Sequence, residues 1–187
     1  VSISEATYEF LPQAVPLFIE PLQGSVGGGT VLTIRGTHLE HAHRRLLCRF
    51  GQAGSVQAEA ISNDTITCVS PPFSTTSSSR TNVHLSISTN GGGDWAPAST
   101  SFEYQTIPML KSAEPTTLTL DTTVELKLQF YENVSLLACR LGTSVGTIAI
   151  DDMSEGLITC LVSCQRSGNS VIELSIDGQQ FESTRQS

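Results

Sequence analysis

The sequence predicts an all-β protein that consists of two β-sandwiches in tandem, each held by one disulfide. Three observations lead to this prediction: an internal repeat, apolar residues at alternate positions, and cysteines that recur in pairs. Apolar residues at every second position are typical of strands that bury one face, whereas a helix repeats its apolar positions about every 3.6 residues. The helical pattern is absent from all 187 residues.

The chain contains the same module twice. Its repeated stretches are Cys48-Arg49-Phe50-Gly51 with Cys139-Arg140-Leu141-Gly142, Ile66-Thr67-Cys68 with Ile158-Thr159-Cys160, and His84-Leu85-Ser86-Ile87-Ser88 with Glu173-Leu174-Ser175-Ile176-Asp177. The separation between the copies is nearly constant, which indicates that one module was duplicated. Each copy has roughly 90 residues, near the lower end of self-standing domain sizes.

The repeat also predicts the domain borders. The pair Glu9-Phe10 matches Glu103-Tyr104 at the end of the first copy. Residues 1–14 are therefore predicted to be the last strand of a preceding repeat or a linker. We predict that the first copy covers residues 15–106 and that the second, degenerate copy covers residues 107–187.

Strand and turn signals alternate along both copies. Leu32 and Ile34 alternate with polar neighbours in the first copy, as Leu126 and Leu128 do in the second. Glycine-rich turns and the Pro71-Pro72 pair separate these runs, because proline cannot continue a strand ladder. Many short strands between such turns predict an immunoglobulin-like β-sandwich.

The chain has five cysteines, which can form two disulfides and leave one cysteine over. The repeated spacing indicates the disulfides Cys48–Cys68 and Cys139–Cys160, with Cys164 as the odd cysteine. A disulfide that closes a loop of about 20 residues contributes roughly 3 kcal/mol in the chain-entropy model. The alternative is that all five cysteines are reduced residues of the core.

Composition favours an extracellular setting. Paired cysteines are typical of secreted chains, and Asn63 and Asn133 each begin an Asn-x-Ser/Thr glycosylation signal. The net charge of −8 opposes binding to nucleic-acid phosphates. No apolar run reaches the ~20 residues of a membrane helix, so a membrane anchor is expected only outside this fragment. We expect a surface ectodomain or a secreted protein.

Three stretches of the first copy resemble the IPT/TIG domain. Glu20-Pro21 followed by Gly27-Gly28-Gly29-Thr30 resembles the start of that domain, residues 65–72 resemble its Ile-x-Cys-x-x-Pro segment, and residues 83–104 resemble its closing hairpin. The resemblance covers nearly all of residues 15–106 and implies disulfide-stapled sandwiches of IPT/TIG type. The second copy departs from the pattern, since it lacks the Gly-Gly-Thr turn and the Pro-Pro pair.

The resemblance implies two habitats. In plexins and Met-type receptors, tandem domains of this kind form an extracellular stalk that spaces or presents a ligand-binding region. In Rel-like transcription factors they bind DNA or dimerise inside the cell. The cysteines, glycosylation signals and acidity favour a non-catalytic cell-surface role in protein recognition, for adhesion or receptor signalling, and as a spacer. The alternatives are a carbohydrate-binding module and an intracellular DNA-binding or dimerisation domain.

The expected partner is a protein on another cell or in the same membrane, with self-association as a second mode. The interface candidates are Trp95 at a hairpin tip, Phe73 and Arg80, because tryptophan is a frequent interface anchor and loops often carry recognition. No catalytic motif, cofactor or metal site is expected. His38, His41 and His43 are close in sequence but are interpreted as part of a solvated loop.

Overall fold

The described residues form strands joined by turns, with a short 3-10 helix at Gly51–Ala53. The computed structural model describes residues 12–39, 45–74, 80–131, 135–152, 156–163, 165 and 167–184. The strands of the first half are β1 Val15–Glu20, β2 Gln23–Ser25, β3 Val31–Thr37, β4 Leu47–Phe50, β5 Ser55–Ser62, β6 Thr65–Val69, β7 Arg80–Ser88 and β8 Ala96–Gln105. Those of the second half are β9 Leu110–Glu114, β10 Thr123–Phe130, β11 Ala138–Leu141, β12 Ser144–Asp152, β13 Leu157–Ser163, β14 Ile172–Ser175 and β15 Glu182–Ser183.

The first eight strands form one curled sheet in the order β1-β3-β6-β5-β4-β7-β8-β2. Strand β5 pairs with β6 through its second half and with β4 through its first, so the sheet turns from one layer to the other at this strand. We call this unit the first sandwich. Residues at every second position of β3 point into it, as the alternation in the sequence predicted.

The last seven strands form a second curled sheet in the order β15-β14-β11-β12-β13-β10-β9. This second sandwich differs from the first at its closing strand. Strand β8 of the first sandwich has ten residues, whereas β15 has two. The domain borders at residues 14/15 and 106/107 stay a prediction.

Each sandwich has a hydrophobic core of its own. The first core contains Leu32, Ile34, Phe50, Phe102 and Tyr104, and the second contains Leu126, Leu128, Phe130, Ile158 and Leu174. Full burial of one such side chain contributes about 1.5–3 kcal/mol relative to its exposure to water. Each sandwich is therefore stabilised by a hydrophobic core that the other does not share.

One disulfide crosses each core from one layer to the other. Cys48 of β4 is bonded to Cys68 of β6, and Cys139 of β11 is bonded to Cys160 of β13. The predicted fold class, tandem disulfide-stapled immunoglobulin-like sandwiches, is thus confirmed. The odd cysteine, Cys164, lies outside the described residues.

In the part of the chain that the structure describes, no helix is long and apolar enough to span a bilayer.

Candidate functional site

The tip of the β7–β8 hairpin, residues 89–95, is held by its own side chains. The Ser88 hydroxyl accepts the backbone N–H of Gly92 at 2.8 Å, and the Asn90 side chain accepts the backbone N–H of Asp94 at 2.9 Å. Gly91 and Gly92 have φ angles of 76° and 93°, a region that glycine enters without steric cost. The turn therefore presents the next residue, Trp95, in a defined position.

Trp95 is half-buried, and an arginine side chain lies over its ring. The Arg49 guanidinium carbon is 4.2 Å from the ring centroid. The second sandwich repeats this pair, since Arg140 lies 4.4 Å from the ring centroid of Phe181. Cation–π contacts of this kind contribute about 0.5–1 kcal/mol at exposed sites. Sequence reasoning missed both pairs, although an arginine follows the first disulfide cysteine in each copy.

The other two interface candidates lie elsewhere. The Phe73 ring packs against Tyr104 with the ring centroids 5.0 Å apart and is partly buried at the margin of the first core. Arg80 is the first residue of β7, so this nine-residue strand separates it from the hairpin tip that carries Trp95. Its guanidinium is 3.8 Å from the Glu103 carboxylate. The structure therefore does not bring the three candidates together.

The edge strand β1 carries an apolar cluster on its outer side that the sequence did not single out. A register shift between Pro16 and Phe18 turns two consecutive side chains outward. As a result Leu17 is 63% exposed and Phe18 is 53% exposed, with Val15 beside them. Phe18 is paired across the sheet with Arg35, which is also exposed. The pattern of the sequence alone could not reveal the bulge that produces this cluster.

A polar joint connects the two sandwiches. The turn between β14 and β15, together with the first residue of β15, reaches back to the first sandwich and meets β2 and the segment that leads into β3. Its contacts are Thr30 Oγ1–Asp177 Oδ2 at 2.6 Å, Val31 N–Gln179 Oε1 at 2.9 Å, Gln179 Nε2–Val31 O at 3.0 Å, Gln180 Nε2–Gly29 O at 3.1 Å, Gln23 Nε2–Ile176 O at 3.0 Å, and Ser25 with Glu182. These bonds hold the second sandwich against the first.

Asp177 is the centre of this joint. Its carboxylate accepts hydrogen bonds from the Thr30 and Ser175 hydroxyls and from the backbone N–H groups of Gln179 and Gln180. Burial alone would raise the pKa of this carboxyl, but the hydrogen bonds outweigh burial and hold the pKa below its usual value. The residue thus both caps its own turn and anchors the neighbouring sandwich.

We predict that acid weakens the joint. Because the pKa of Asp177 is lower in the folded chain than the ordinary value of 3.8, its stabilising contribution is present above that value and is lost as the pH falls through the folded pKa. The free energy of unfolding of the chain is expected to fall on acidification below about pH 4. Urea titrations of wild type and Asp177→Asn between pH 6 and pH 2.5 measure this effect. An equal acid dependence in both proteins would contradict the prediction.

Two further groups of predicted residues have different outcomes. Asn63 is exposed in the turn between β5 and β6, whereas Asn133 lies outside the described residues. His38 is exposed and its ring Nδ1 is 3.2 Å from the Gln13 carbonyl oxygen; His41 and His43 are also outside the described residues. Within the described ranges, no group of three or more His, Cys, Asp or Glu side chains could hold a metal ion.

Residues 18–104 match the family description of the IPT/TIG domain. The first sandwich is an IPT/TIG domain. The match runs from Phe18 in the middle of β1 to Tyr104, the penultimate residue of β8, and it agrees with the resemblance seen in the sequence.

Two solved structures similar to this chain are extracellular regions of plexin A4. One, with domains 1 to 10, is 15% identical with a TM-score of 0.60; the similarity covers 84% of this chain and 13% of that one. The other, with domains 1 to 8, is 15% identical with a TM-score of 0.56 and covers 92% and 17%. This chain thus spans less than a fifth of either plexin chain. At this identity the likeness concerns the fold alone.

A third similar structure is the Bacteroides ovatus protein SGBP-B in complex with a mixed-linkage heptasaccharide. It is 10% identical with a TM-score of 0.35, covering 88% of this chain and 41% of that one. This score is too low to support an argument about the IPT/TIG domain. No curated protein matches the chain.

Proposed function

We propose that this chain is a non-catalytic part of a cell-surface ectodomain that recognises another protein, in cell adhesion or receptor signalling. The β1 cluster of Val15, Leu17 and Phe18 is the observation that carries the proposal. Large exposed apolar side chains beside an arginine have a composition that is typical of the core of a protein–protein interface. Covering Leu17 and Phe18 would contribute up to about 1.5–3 kcal/mol for each.

The joint supports a second element of the proposal, namely that the second sandwich is a spacer. A spacer must hold its orientation, because a loose linker would let the recognition surface point in any direction. Buried hydrogen bonds at Thr30 and Asp177 oppose such freedom. The two sandwiches are therefore proposed to act as one rigid element that presents the β1 cluster.

Carbohydrate binding receives less support than protein recognition. A sugar ring would stack on the face of Trp95, but the Arg49 guanidinium already lies over one face of that ring. Binding of DNA is opposed by the net charge of −8. Trp95, Phe73 and Arg80 stay candidates for secondary contacts with the partner.

The extracellular setting is supported by the two disulfides and by the exposed position of Asn63. Mass spectrometry of protein from its natural source under non-reducing conditions tests it. Cys48, Cys68, Cys139 and Cys160 are expected as two disulfides, and Asn63 is expected to carry a glycan. Reduced thiols at all of these cysteines would contradict the extracellular proposal.

We predict that the paired substitution Leu17→Ser and Phe18→Ser abolishes recognition. Beads coated with the wild-type chain are expected either to bind cells of the source organism or to clump with one another, and the variant is expected to do neither. The reason is that serine removes the apolar area that a partner would cover. Both residues are exposed, so the fold is expected to persist, which circular dichroism checks.

Val145→Ser is the matched control for this experiment. Val145 is 64% exposed on β12 of the second sandwich, so the control removes a similar apolar group from a different surface. Clumping of beads would identify self-association, whereas binding to cells without clumping would identify a different partner. Loss of binding in the presence of simple sugars would favour the carbohydrate alternative. If the paired variant binds like wild type, the β1 cluster is not the recognition surface.

A further inference from the structure

The glycosylation signal at Asn63 lies at the same end of the sheet as the β1 cluster. Strands β5 and β6 are joined by a two-residue turn, Asn63-Asp64, in which Asn63 is exposed. The Asp64 carbonyl oxygen accepts the backbone N–H of Gly36 at 2.9 Å, and Gly36 is paired with Pro16 of β1. The turn and the start of β1 therefore flank the end of β3 from its two sides.

The pairing of the strands gives the distance between the signal and the cluster. Phe18 is paired with Arg35 of β3, and Arg35 is paired with Thr65, the last residue of the Asn63-Asp64-Thr65 signal. Neighbouring strands lie about 4.8 Å apart, so two strand spacings separate the backbone at Phe18 from that at Thr65, roughly 10 Å in total. An N-linked glycan is a bulky chain of several sugar rings, which is long enough to span this distance.

The signal and the cluster also share the outer face of the sheet. Residues directly opposite each other in a ladder have their side chains on the same face. The neighbouring row of the ladder is buried in the first core and consists of Ile19, Ile34 and Ile66. Because successive residues of a strand point to opposite faces, the row that runs from Phe18 through Arg35 to Thr65 lies on the side that faces water.

The surface between the turn and the cluster has the chemistry of a saccharide contact. Arg35 and Thr37 are exposed there, and their guanidinium and hydroxyl groups can hydrogen-bond to sugar hydroxyls. Thr37 is paired with Val15 of the cluster. The Phe18 side chain, 53% exposed, offers an aromatic ring on which the C–H groups of a sugar ring can pack. Polar groups thus lead from the attachment site to an apolar end.

We propose that a glycan attached to Asn63 lies along Thr37 and Arg35, covers the β1 cluster and thereby limits the access of a partner to it. Contact with the sugar rings removes from water an apolar surface that is otherwise exposed. A chain without this glycan, or with the glycan trimmed, presents the whole cluster. The effect on recognition rests on the function proposed for the β1 cluster, whereas the covering of the cluster does not and is measured separately.

Hydroxyl-radical footprinting measures the covering directly. The glycosylated chain is compared with the same chain after an endoglycosidase has trimmed each glycan to one N-acetylglucosamine. Oxidation of Leu17 and Phe18, quantified by mass spectrometry, is expected to rise at least about twofold on trimming, because a bulky glycan excludes solvent from the side chains that it covers. Leu120 of the second sandwich, which is 42% exposed, is the reference residue and is expected to keep its rate of oxidation.

Three variants assign the effect to one glycan. Asn63→Gln removes the signal at an exposed turn position and is expected to show the footprint of the trimmed chain. Thr65→Ser keeps an Asn-x-Ser/Thr signal and is expected to show the footprint of the glycosylated chain. Asn133→Gln removes only the second signal and is expected to leave the oxidation of Leu17 and Phe18 unchanged.

The bead assay measures the consequence for recognition. Beads coated with Asn63→Gln are expected to bind cells, or to clump, at least about threefold more strongly than beads coated with the glycosylated wild type, because the apparent affinity falls with the fraction of molecules whose binding surface is covered. Adding Leu17→Ser and Phe18→Ser to Asn63→Gln is expected to cancel this gain.

Equal oxidation of Leu17 and Phe18 before and after trimming would overturn the proposal, and so would an Asn63 without a glycan in protein from the natural source. If the footprint opens but Asn63→Gln beads bind no better than wild-type beads that do bind, the glycan does not limit access and the proposed regulation is wrong. If the footprint opens and no beads bind or clump, the covering is confirmed and the function proposed for the β1 cluster fails instead.

Discussion

Replacing Cys48 and Cys68 together by alanine is expected to lower the stability of the IPT/TIG domain by about 3 kcal/mol. The disulfide closes a loop with a sequence separation of 20 residues, and losing that restraint enlarges the conformational freedom of the unfolded chain. Both cysteines are buried in the core, so the smaller alanine side chains also remove packing contacts. For a domain of this size the thermal midpoint is expected to fall by roughly 12–24 °C.

Differential scanning calorimetry of the oxidised chain measures this loss. The double variant Cys139→Ala and Cys160→Ala is the matched control, because its disulfide has nearly the same sequence separation, 21 residues. Each double variant is expected to destabilise the sandwich from which the disulfide was removed. The two variants should therefore differ in which sandwich unfolds at the lower temperature. Tryptophan fluorescence provides that distinction. Trp95, which stacks with Arg49, is the sole tryptophan in the chain and therefore reports only on the first sandwich. An unchanged midpoint of the tryptophan fluorescence in Cys48→Ala with Cys68→Ala would contradict the prediction.

Thr30→Val is expected to loosen the joint between the two sandwiches. The substitution keeps the shape of a fully buried side chain but removes the hydroxyl that donates to the Asp177 carboxylate at 2.6 Å. A hydrogen bond to a charged group contributes about 1.5–3 kcal/mol, and the carboxylate is left with one donor fewer. Small-angle scattering is expected to show a broader distribution of maximum dimensions than for wild type. The secondary structure by circular dichroism is expected to be unchanged.

Thr67→Val is the control for this experiment. Thr67 lies on β6 of the first sandwich, away from the joint. Thr67→Val makes the same change of side chain as Thr30→Val. Its scattering curve is expected to superimpose on that of wild type. If the Thr30→Val curve also superimposes on it, the hydrogen bond to Asp177 is not required to hold the sandwiches together, and the rigid spacer in the proposed function loses this part of its support.

The sequence was sufficient for the strands and for the disulfides. The alternation of Leu32 and Ile34 with polar residues depends only on the geometry of an extended backbone, in which successive side chains point to opposite faces. The cysteine pairs could be read from the duplication, since a repeat that preserves both members of a pair preserves their contact. The hairpin that carries Trp95 was likewise visible in the three glycines before it.

Only the tertiary structure could show the joint and the β1 cluster. Thr30 and Asp177 are 147 residues apart, and no local pattern tells which turn of one sandwich meets the other. The exposure of both Leu17 and Phe18 depends on a bulge in the pairing of β1 with β3. The role of Phe181 was hidden in the same way, because its contact with Arg140 joins residues that are far apart in the sequence.

The sequence by itself therefore determined what each short segment does: which residues face a core, where strands turn and which cysteines belong together. These properties follow from backbone geometry and from side chains close to one another along the chain. The tertiary structure decided how distant segments meet, and hence which polar groups are buried at the joint. Those contacts depend on the packing of whole sheets, which brings together residues that are far apart in the sequence.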